Sequence, residues 1–148
     1  MNMSADFYEV DFVVRDEDYS RFLLSDGTIL KAKIVLKKIL FSRLKTPEGY
    51  PVQTNFESMN AVSAIVSDAN KRLPSTEPFN PQSKGTEITF SEQEVKTQEY
   101  MTNQGFSLTI RPVLSKVFKY SHINMYGEPT YQVALQNITN INKIETTG

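Results

Sequence analysis

The chain repeats itself at an offset of 78 residues, and this repeat constrains the fold more than any other feature of the sequence. The segment from Glu9 to Pro51 aligns without a gap with the segment from Glu87 to Pro129, and nine of the 43 aligned pairs are identical. A fixed internal period indicates one structural unit that is present twice. A unit of about 60 residues is marginal for an independent core, so we expect the two copies to pack on each other.

The repeat predicts two small units with a connection between them. The first β repeat is expected over 8–66 and the second over 86–144, related by internal duplication and a pseudo-twofold axis. Residues 67–85 contain three prolines among polar side chains, which is typical of a linker. We expect the two repeats to form one globular unit.

Each copy is predicted to contain short strands followed by one long strand. Residues 8–15 alternate and are rich in β-branched side chains, and Gly27 marks a tight turn. From Thr28 to Phe41, apolar residues occupy one parity and lysines the other, which is typical of a half-buried strand. The fold class is therefore mainly β, as β or α+β, with two tandem small β-roll or half-barrel repeats. In the second long strand, Pro112 predicts an edge position or a bulge.

The segment after the long strand gives conflicting predictions. With one inserted residue the offset becomes 79, and Met59, Val62 and Ile65 then match three isoleucines of the second copy. Apolar residues at a spacing of three favour a short amphipathic helix near 57–72. In the second copy the same region is rich in asparagine, which favours a turn followed by a short strand.

Cations concentrate on the long strand of each copy. Between Gly27 and Pro47 there are six cations and no carboxylate. A basic strand face with nearby aromatic rings can follow a phosphate backbone while bases stack on the rings. The candidate anion or nucleic-acid contacts are Lys31, Lys33, Lys37, Lys38, Arg111, Lys116 and Lys119. Alternatively, these cations only solvate the outer side of a hairpin and discourage edge-to-edge pairing.

Lys38 and Lys116 occupy equivalent positions on the otherwise apolar parity of the long strand. A buried ammonium without a partner is costly, so we expect each to lie where the strand leaves the core or beside a carboxylate. One interpretation makes them the anion-contacting residues of each unit. The other lets each side chain run along the edge of the core with its charge in water.

Three tyrosines, Tyr50, Tyr126 and Tyr131, lie near the two Gly-x-Pro turns. An exposed aromatic patch at this place would suit a protein interface, where tyrosine is enriched. The alternative is that the rings pack over the turns.

The residue types of catalytic and metal sites are scarce. The chain has no cysteine, His122 is its single histidine, and no glycine-rich phosphate loop opens a helix. No nucleophile–base arrangement and no metal-ligand spacing is present. We therefore predict no catalytic residues, no metal site and no cofactor, and a protein that is not an enzyme.

The charge and hydropathy patterns bear on partners and location. A net charge of −1 gives no bulk attraction to nucleic acid or to anionic membranes. No apolar run approaches the roughly 20 residues of a membrane helix. The first residues lack the basic and apolar regions of a signal peptide. We expect a cytoplasmic protein that makes no membrane contact.

The sequence thus predicts a non-catalytic interaction or assembly module built from a duplicated small β unit, which forms a homo-oligomer or binds a protein partner. The alternative is a nucleic-acid-binding protein that uses the basic strand faces of both repeats. Titration of oligonucleotide binding against salt separates the two, because phosphate contacts weaken steeply with salt.

Overall fold

A computed structural model describes residues 6–144 of the chain. They form ten strands, and a 3-10 turn lies at Asp68–Asn70. In chain order the strands are β1 Phe7–Val10, β2 Phe12–Asp16, β3 Ser20–Leu24, β4 Ile29–Ser42, β5 Thr54–Ile65, β6 Thr86–Ile88, β7 Phe90–Glu94, β8 Gln98–Thr102, β9 Phe106–Ile123 and β10 Pro129–Lys143. The prediction of a mainly β fold is confirmed. Most of the segment used for the signal-peptide expectation lies outside the described range.

The strands form two antiparallel sheets of five strands each. In sheet A, β4 pairs with β5 along one edge and with β3 and β1 along the other, and β7 pairs with the far edge of β3. In sheet B, β9 pairs with β10 along one edge and with β8 and β6 along the other, and β2 pairs with β8. The long strands β4 and β9 are therefore the central strands.

The pairings of one sheet recur in the other at the offset of 78. Phe12 lies opposite Thr102, and their equivalents Phe90 and Leu24 also lie opposite each other. As a result, β2 of the first half lies in sheet B and β7 of the second half lies in sheet A. Neither sheet comes from one half of the chain alone. The division into separate units, and their origin by duplication, stay predictions.

The helix predicted near 57–72 is wrong, because β5 continues to Ile65. In residues 6–144, β5 pairs only with β4, and neither of its faces is well covered. Met59 and Val62 lie on opposite faces of the strand and are both exposed. A strand without a buried face has no reason to alternate, so its apolar residues can take a helical spacing by chance.

The offset of 79 for this segment is also wrong. Ser63 lies opposite Lys31 of β4, and Asn140 lies opposite Thr109 of β9. Lys31 and Thr109 are 78 residues apart, so β5 and β10 are matched at an offset of 77. The second copy therefore has one residue fewer, between Pro129 and Tyr131, rather than one residue more.

Both long strands carry a bulge at the same place in the repeat. Lys37 is the extra residue of β4, and Ser115 is the extra residue of β9. One extra residue reverses which parity faces the core, and Ile39 is accordingly buried. Lys38 and Lys116 therefore lie on the outer face of their sheets, and the prediction that they share the apolar side is wrong.

The prediction that the second long strand is an edge or is bulged near its middle is confirmed by its bulge, although Pro112 is not itself the bulged residue. Pro112 is in the central strand β9, and the bulge is further along at Ser115. β8 and β6 pair with β9 on either side of Pro112, which leaves a gap between them. A proline is tolerated there because its missing N–H leaves no donor to be satisfied.

The inner faces of the two sheets pack on a shared apolar core. Ile34 and Leu36 of β4 lie in one cluster with Leu108 and Ile110 of β9. Each such side chain contributes roughly 1.5–3 kcal/mol when it is fully buried. Since both inner faces meet at this core, the outer faces of β4 and β9 point away from it in different directions.

The connection between β5 and β6 is held against sheet B. The ring of Phe79 lies 5.0 Å from the ring of Tyr120 and 5.6 Å from that of His122, measured between centroids. Ser75 exchanges two hydrogen bonds with the main chain of Ile123. Within the described range, no helix is long and apolar enough to cross a membrane.

Candidate functional site

The cations of β4 lie on the outer face of sheet A or at its bulge. Lys31 and Lys33 place their Nζ atoms 4.9 Å and 4.8 Å from the centroid of the Tyr19 ring. The Nζ of Lys33 is also 3.7 Å from a carboxylate oxygen of Glu17. Lys37, at the bulge, is exposed. The outer face of β4 is thus basic, but part of its charge is balanced locally.

Lys38 lies opposite Glu57 of β5 on the outer face. Opposite charges at directly opposed positions of an antiparallel pair attract each other, and such pairs contribute roughly 0.2–1 kcal/mol. Contact of Lys38 with an anion stays a prediction. Lys116, its equivalent in sheet B, lies opposite Ala134 and is exposed.

The remaining predicted cations are on β9 and do not join those of β4. Arg111 is exposed on the outer face of sheet B, opposite Ile138. Lys119 lies on the inner side instead, and its Nζ is 2.9 Å from Asp26. The seven predicted contacts are therefore distributed over two outward faces and one internal ion pair.

A polar network connects the core to the basic face of β4. Gln98 is fully buried; its Oε1 accepts a hydrogen bond from the Ile34 N–H, and its Nε2 donates to the Ile34 carbonyl. The same Nε2 donates to the Tyr100 hydroxyl, which donates to Glu17. Burial, together with the charge of Glu17, raises the pKa of Tyr100 above its usual value. This hydroxyl therefore stays protonated and acts as a structural donor.

A second polar cluster surrounds Asp26 at the turn between β3 and β4. Its Oδ2 accepts hydrogen bonds from the Tyr131 hydroxyl at 2.5 Å and from Lys119, and its Oδ1 accepts one from the Thr28 N–H. Burial alone would raise the pKa of Asp26, but these hydrogen bonds outweigh it and lower the pKa to about 2. Burial and the bond to Asp26 raise the pKa of Tyr131 to about 12. The sequence does not reveal this cluster, because Tyr131 and Lys119 lie in the other half of the chain from Asp26.

In the other half, aromatic residues take the places of Thr28 and Lys119. Phe106 stands where Thr28 stands in the first half, and Phe41 stands where Lys119 stands in the second. These two rings pack edge-on with their centroids 5.6 Å apart. One end of the core is therefore closed by a charged cluster whose polar groups are hydrogen-bonded, and the other by aromatic rings packed edge-on.

The three predicted patch tyrosines lie in different surroundings. The Tyr131 hydroxyl donates a hydrogen bond to the carboxylate of Asp26. Tyr50 packs against Phe106 with ring centroids 5.4 Å apart. Tyr126 lies in the turn before β10 and is exposed. A shared aromatic patch formed by these residues stays a prediction.

One open pocket is surrounded by polar side chains that include the single histidine, His122. This pocket of about 390 Å³ lies between the β5–β6 connection and β9 and is lined by Glu77, Asn80 and His122 among others. Both ring nitrogens of His122 are occupied, one by Thr130 and the other by the Glu77 carbonyl. Across the described range, no group of three His, Cys, Asp or Glu side chains is placed to hold a metal ion.

Among the described strands, β5 and β10 are the longest that pair with a single partner. β5 pairs with β4 alone and β10 with β9 alone, among the strands of residues 6–144. Each strand therefore leaves one row of main-chain N–H and C=O groups without a strand partner. Four exposed apolar side chains lie along these edges: Met59, Val62, Ile65 and Ile138.

These edges carry little charge. The only charged residue of β5 is Glu57, and the only one of β10 is Lys143. Four lysines lie instead on β4, which is central.

Comparisons with protein-family models, with curated proteins and with solved structures find no match to this chain.

Proposed function

We propose that this chain is a non-catalytic assembly module that associates with protein, either with itself or with a partner, by adding a strand to the open edges of its sheets. The observation that carries the proposal is the length of the two unpaired edges. β5 has 12 residues and β10 has 15. At about 3.3 Å per residue these edges span about 40–50 Å.

Natural sheets usually protect such edges. Charged side chains, prolines within the strand, or a very short strand prevent another chain from pairing there. β5 contains no proline, and β10 has only Pro129 at its first position. The lysines that were expected to discourage pairing lie on β4, where β5 already covers one edge of the strand. The edges are thus left open, and strand addition is a known mode of protein recognition.

Charging both edges tests this function. We expect the variant with Val62→Lys and Ile138→Lys to lose association, because a lysine on the edge must give up solvation when a new strand is added. Light scattering measures self-association, and co-purification with a defined stoichiometry measures a partner. Leu44→Lys, at an exposed loop position, is the matched control. The proposal is contradicted if the wild type neither self-associates nor binds a protein, or if the double variant associates as the wild type does.

Nucleic-acid binding is the second candidate. It is favoured by the basic outer face of β4, where two lysines share the ring of Tyr19. It ranks second because Lys33 and Lys119 already face carboxylates, and because the cations of β4 and β9 lie on different outward faces.

Oligonucleotide titrations at several salt concentrations separate the two candidates. Binding that weakens steeply with salt, and that is lost on Lys31→Glu and Lys37→Glu, would support nucleic acid. The same substitutions should leave assembly through the sheet edges intact.

A further inference from the structure

One part of β5 has the properties of a self-pairing segment. Met59–Ile65 contains no charged residue. Its three larger apolar side chains are exposed to 51% at Met59, 41% at Val62 and 47% at Ile65. Val62 lies on the inner face of the sheet, opposite Ala32, and its exposure means that sheet B does not extend over this edge. A neighbouring strand therefore has room on both faces.

The main-chain groups that point to the open edge can be assigned from the register. The Ile34 N–H is bonded to Gln98 and not to β5. Ile34 and its register partner Asn60 therefore form a non-hydrogen-bonded pair, in which both residues direct their main-chain groups away from each other. By the alternation of the ladder, Asn60, Val62 and Ala64 present their N–H and C=O groups to the open edge.

A single antiparallel register matches this segment to a second copy of itself. With a two-fold axis at Val62, Val62 lies opposite its own equivalent, and Asn60 lies opposite Ala64. These are the residues whose main-chain groups face the edge, so each pair can exchange two hydrogen bonds. In the same register, Met59 lies opposite Ile65 of the other copy. All three exposed apolar side chains then acquire an apolar partner.

The register also continues apolar rows that already exist in sheet A. Met59 lies beside Val35 of β4, and Ile65 lies beside Ile29. A row of Val35, Met59 and the second copy's Ile65 and Ile29 would therefore cross four strands on the outer face. On the inner face, Ala32 and Val62 meet the same two residues of the other copy. Such cross-strand rows are the unit by which antiparallel sheets are stabilised.

The open edge of β10 is less suited to pairing with itself. Its exposed apolar residue, Ile138, lies beside Arg111. A two-fold axis at Ile138 would therefore extend a row that ends in an exposed arginine on each side. This difference selects β5 as the self-pairing edge.

We propose that two copies of this chain form a closed two-fold dimer in which the β5 strands pair antiparallel about Val62, so that the two A sheets become one continuous sheet. The inference rests on the proposed assembly function and assigns its partner and its register. An isologous contact of this kind closes on itself and does not propagate. The paired segment is only about 23 Å long, so the dimer belongs to the small, concentration-dependent class of interfaces.

Introduced cysteines test the register, because the chain has no cysteine of its own. Met59 and Ile65 of the other copy form a non-hydrogen-bonded pair, the closest kind of cross-strand pair. The double variant Met59→Cys with Ile65→Cys should therefore give a disulfide-linked dimer under mild oxidation. The control, Met59→Cys with Ser63→Cys, keeps both cysteines on the same face but two residues out of register, and should cross-link at least about tenfold less.

Sedimentation or light scattering over a range of concentrations tests the dimer itself. We expect a dimer for the wild type and for Ile138→Lys. For Val62→Lys we expect an association constant at least about tenfold lower, with circular dichroism confirming that the variant is folded. A wild type that stays monomeric at its highest soluble concentration overturns the dimer. The proposed function then depends on binding of another protein at the edges.

Two other results overturn the register and leave the proposed function standing. One is a dimer that Ile138→Lys disrupts and Val62→Lys does not. The other is equal cross-linking in the two cysteine pairs. If no variant at either edge changes assembly, both the dimer and the proposed function are contradicted.

Discussion

Gln98 and Ser20 occupy equivalent positions in the two halves, but their side chains form different hydrogen bonds. The Gln98 side chain completes the hydrogen bonding of Ile34 in the gap between β3 and β1. In the other half, Pro112 stands at the place of Ile34 and has no N–H that needs an acceptor. Ser20 bonds instead to the main chain of Lys96. The residue at the Gln98/Ser20 position thus depends on the residue at the Ile34/Pro112 position, and the two positions that meet belong to different halves of the chain.

Replacing Gln98 by leucine should destabilise the protein by about 2–4 kcal/mol, because the buried N–H and C=O of Ile34 would lose their partners. Urea denaturation followed by circular dichroism measures this change. Gln93→Leu, on the exposed strand β7, is the control and should change stability by less than about 0.5 kcal/mol. Equal effects of the two substitutions would contradict the role assigned to Gln98.

The Asp26 cluster should make stability depend on acid pH. The pKa of Asp26 is about 2 in the folded protein, against an ordinary value of 3.8. Its ionised form is therefore favoured by folding, and this contribution is present above the ordinary value and is lost as the pH falls towards 2. We expect Asp26→Asn to be less stable than the wild type at neutral pH and to lose less stability on acidification over this window.

Denaturation at a series of pH values tests the cluster. Glu48→Gln, in an exposed loop, should follow the wild type. Parallel curves for the wild type and Asp26→Asn would contradict the lowered pKa of Asp26.

The strands differ in how well they can be predicted from their sequences. β4 and β9 each bury one face, so their apolar residues alternate and the strands could be predicted. The bulges at Lys37 and Ser115 could not be predicted. A bulge is defined by the pairing with the neighbouring strand, and the sequence of the bulged strand alone does not show it. The sequence of β5 favours a helix because a strand exposed on both faces does not need alternating apolar and polar residues.

The segment between β5 and β6 behaves as a strap whose anchor is Phe79. Phe79→Ala removes the ring that packs on Tyr120 and His122, so we expect trypsin to cleave after Lys84 several-fold faster than in the wild type. Leu73→Ala is the control in the same segment, since Leu73 is 89% exposed. Unchanged cleavage in Phe79→Ala would mean that other contacts hold the strap.

At the scale of the whole molecule, the exchange of β2 and β7 should make unfolding a single event. Ile39 and Leu108 belong to different halves but lie in one core cluster. We expect Ile39→Ala and Leu108→Ala each to lower the free energy of unfolding by about 2–5 kcal/mol and to shift one common transition. Urea titrations with circular dichroism and hydrogen exchange measure it. Two separate transitions, each moved by one variant only, would contradict a shared core.

The repeat could be predicted from the sequence, and the pairings do recur at its offset, but the exchange of strands could not. A sequence period states which segments are alike and says nothing about which copy supplies a partner strand. For the same reason the ion pair of Lys119 with Asp26 was not anticipated, because its two members occupy positions that do not match in the repeat. The open edges also could not be predicted, because they depend on the strand order. The other strands add to the far sides of β4 and β9, which leaves β5 and β10 at the ends of their sheets.

The crossing of β2 into sheet B has a consequence for synthesis. A nascent chain emerges from its amino terminus, and Phe12 finds its cross-strand partner only when Thr102 has been made. Until then β3 also lacks β7, and the first half holds apolar surface that it cannot cover by itself. We expect that incomplete half to be prone to aggregation until β7 and β8 have been made.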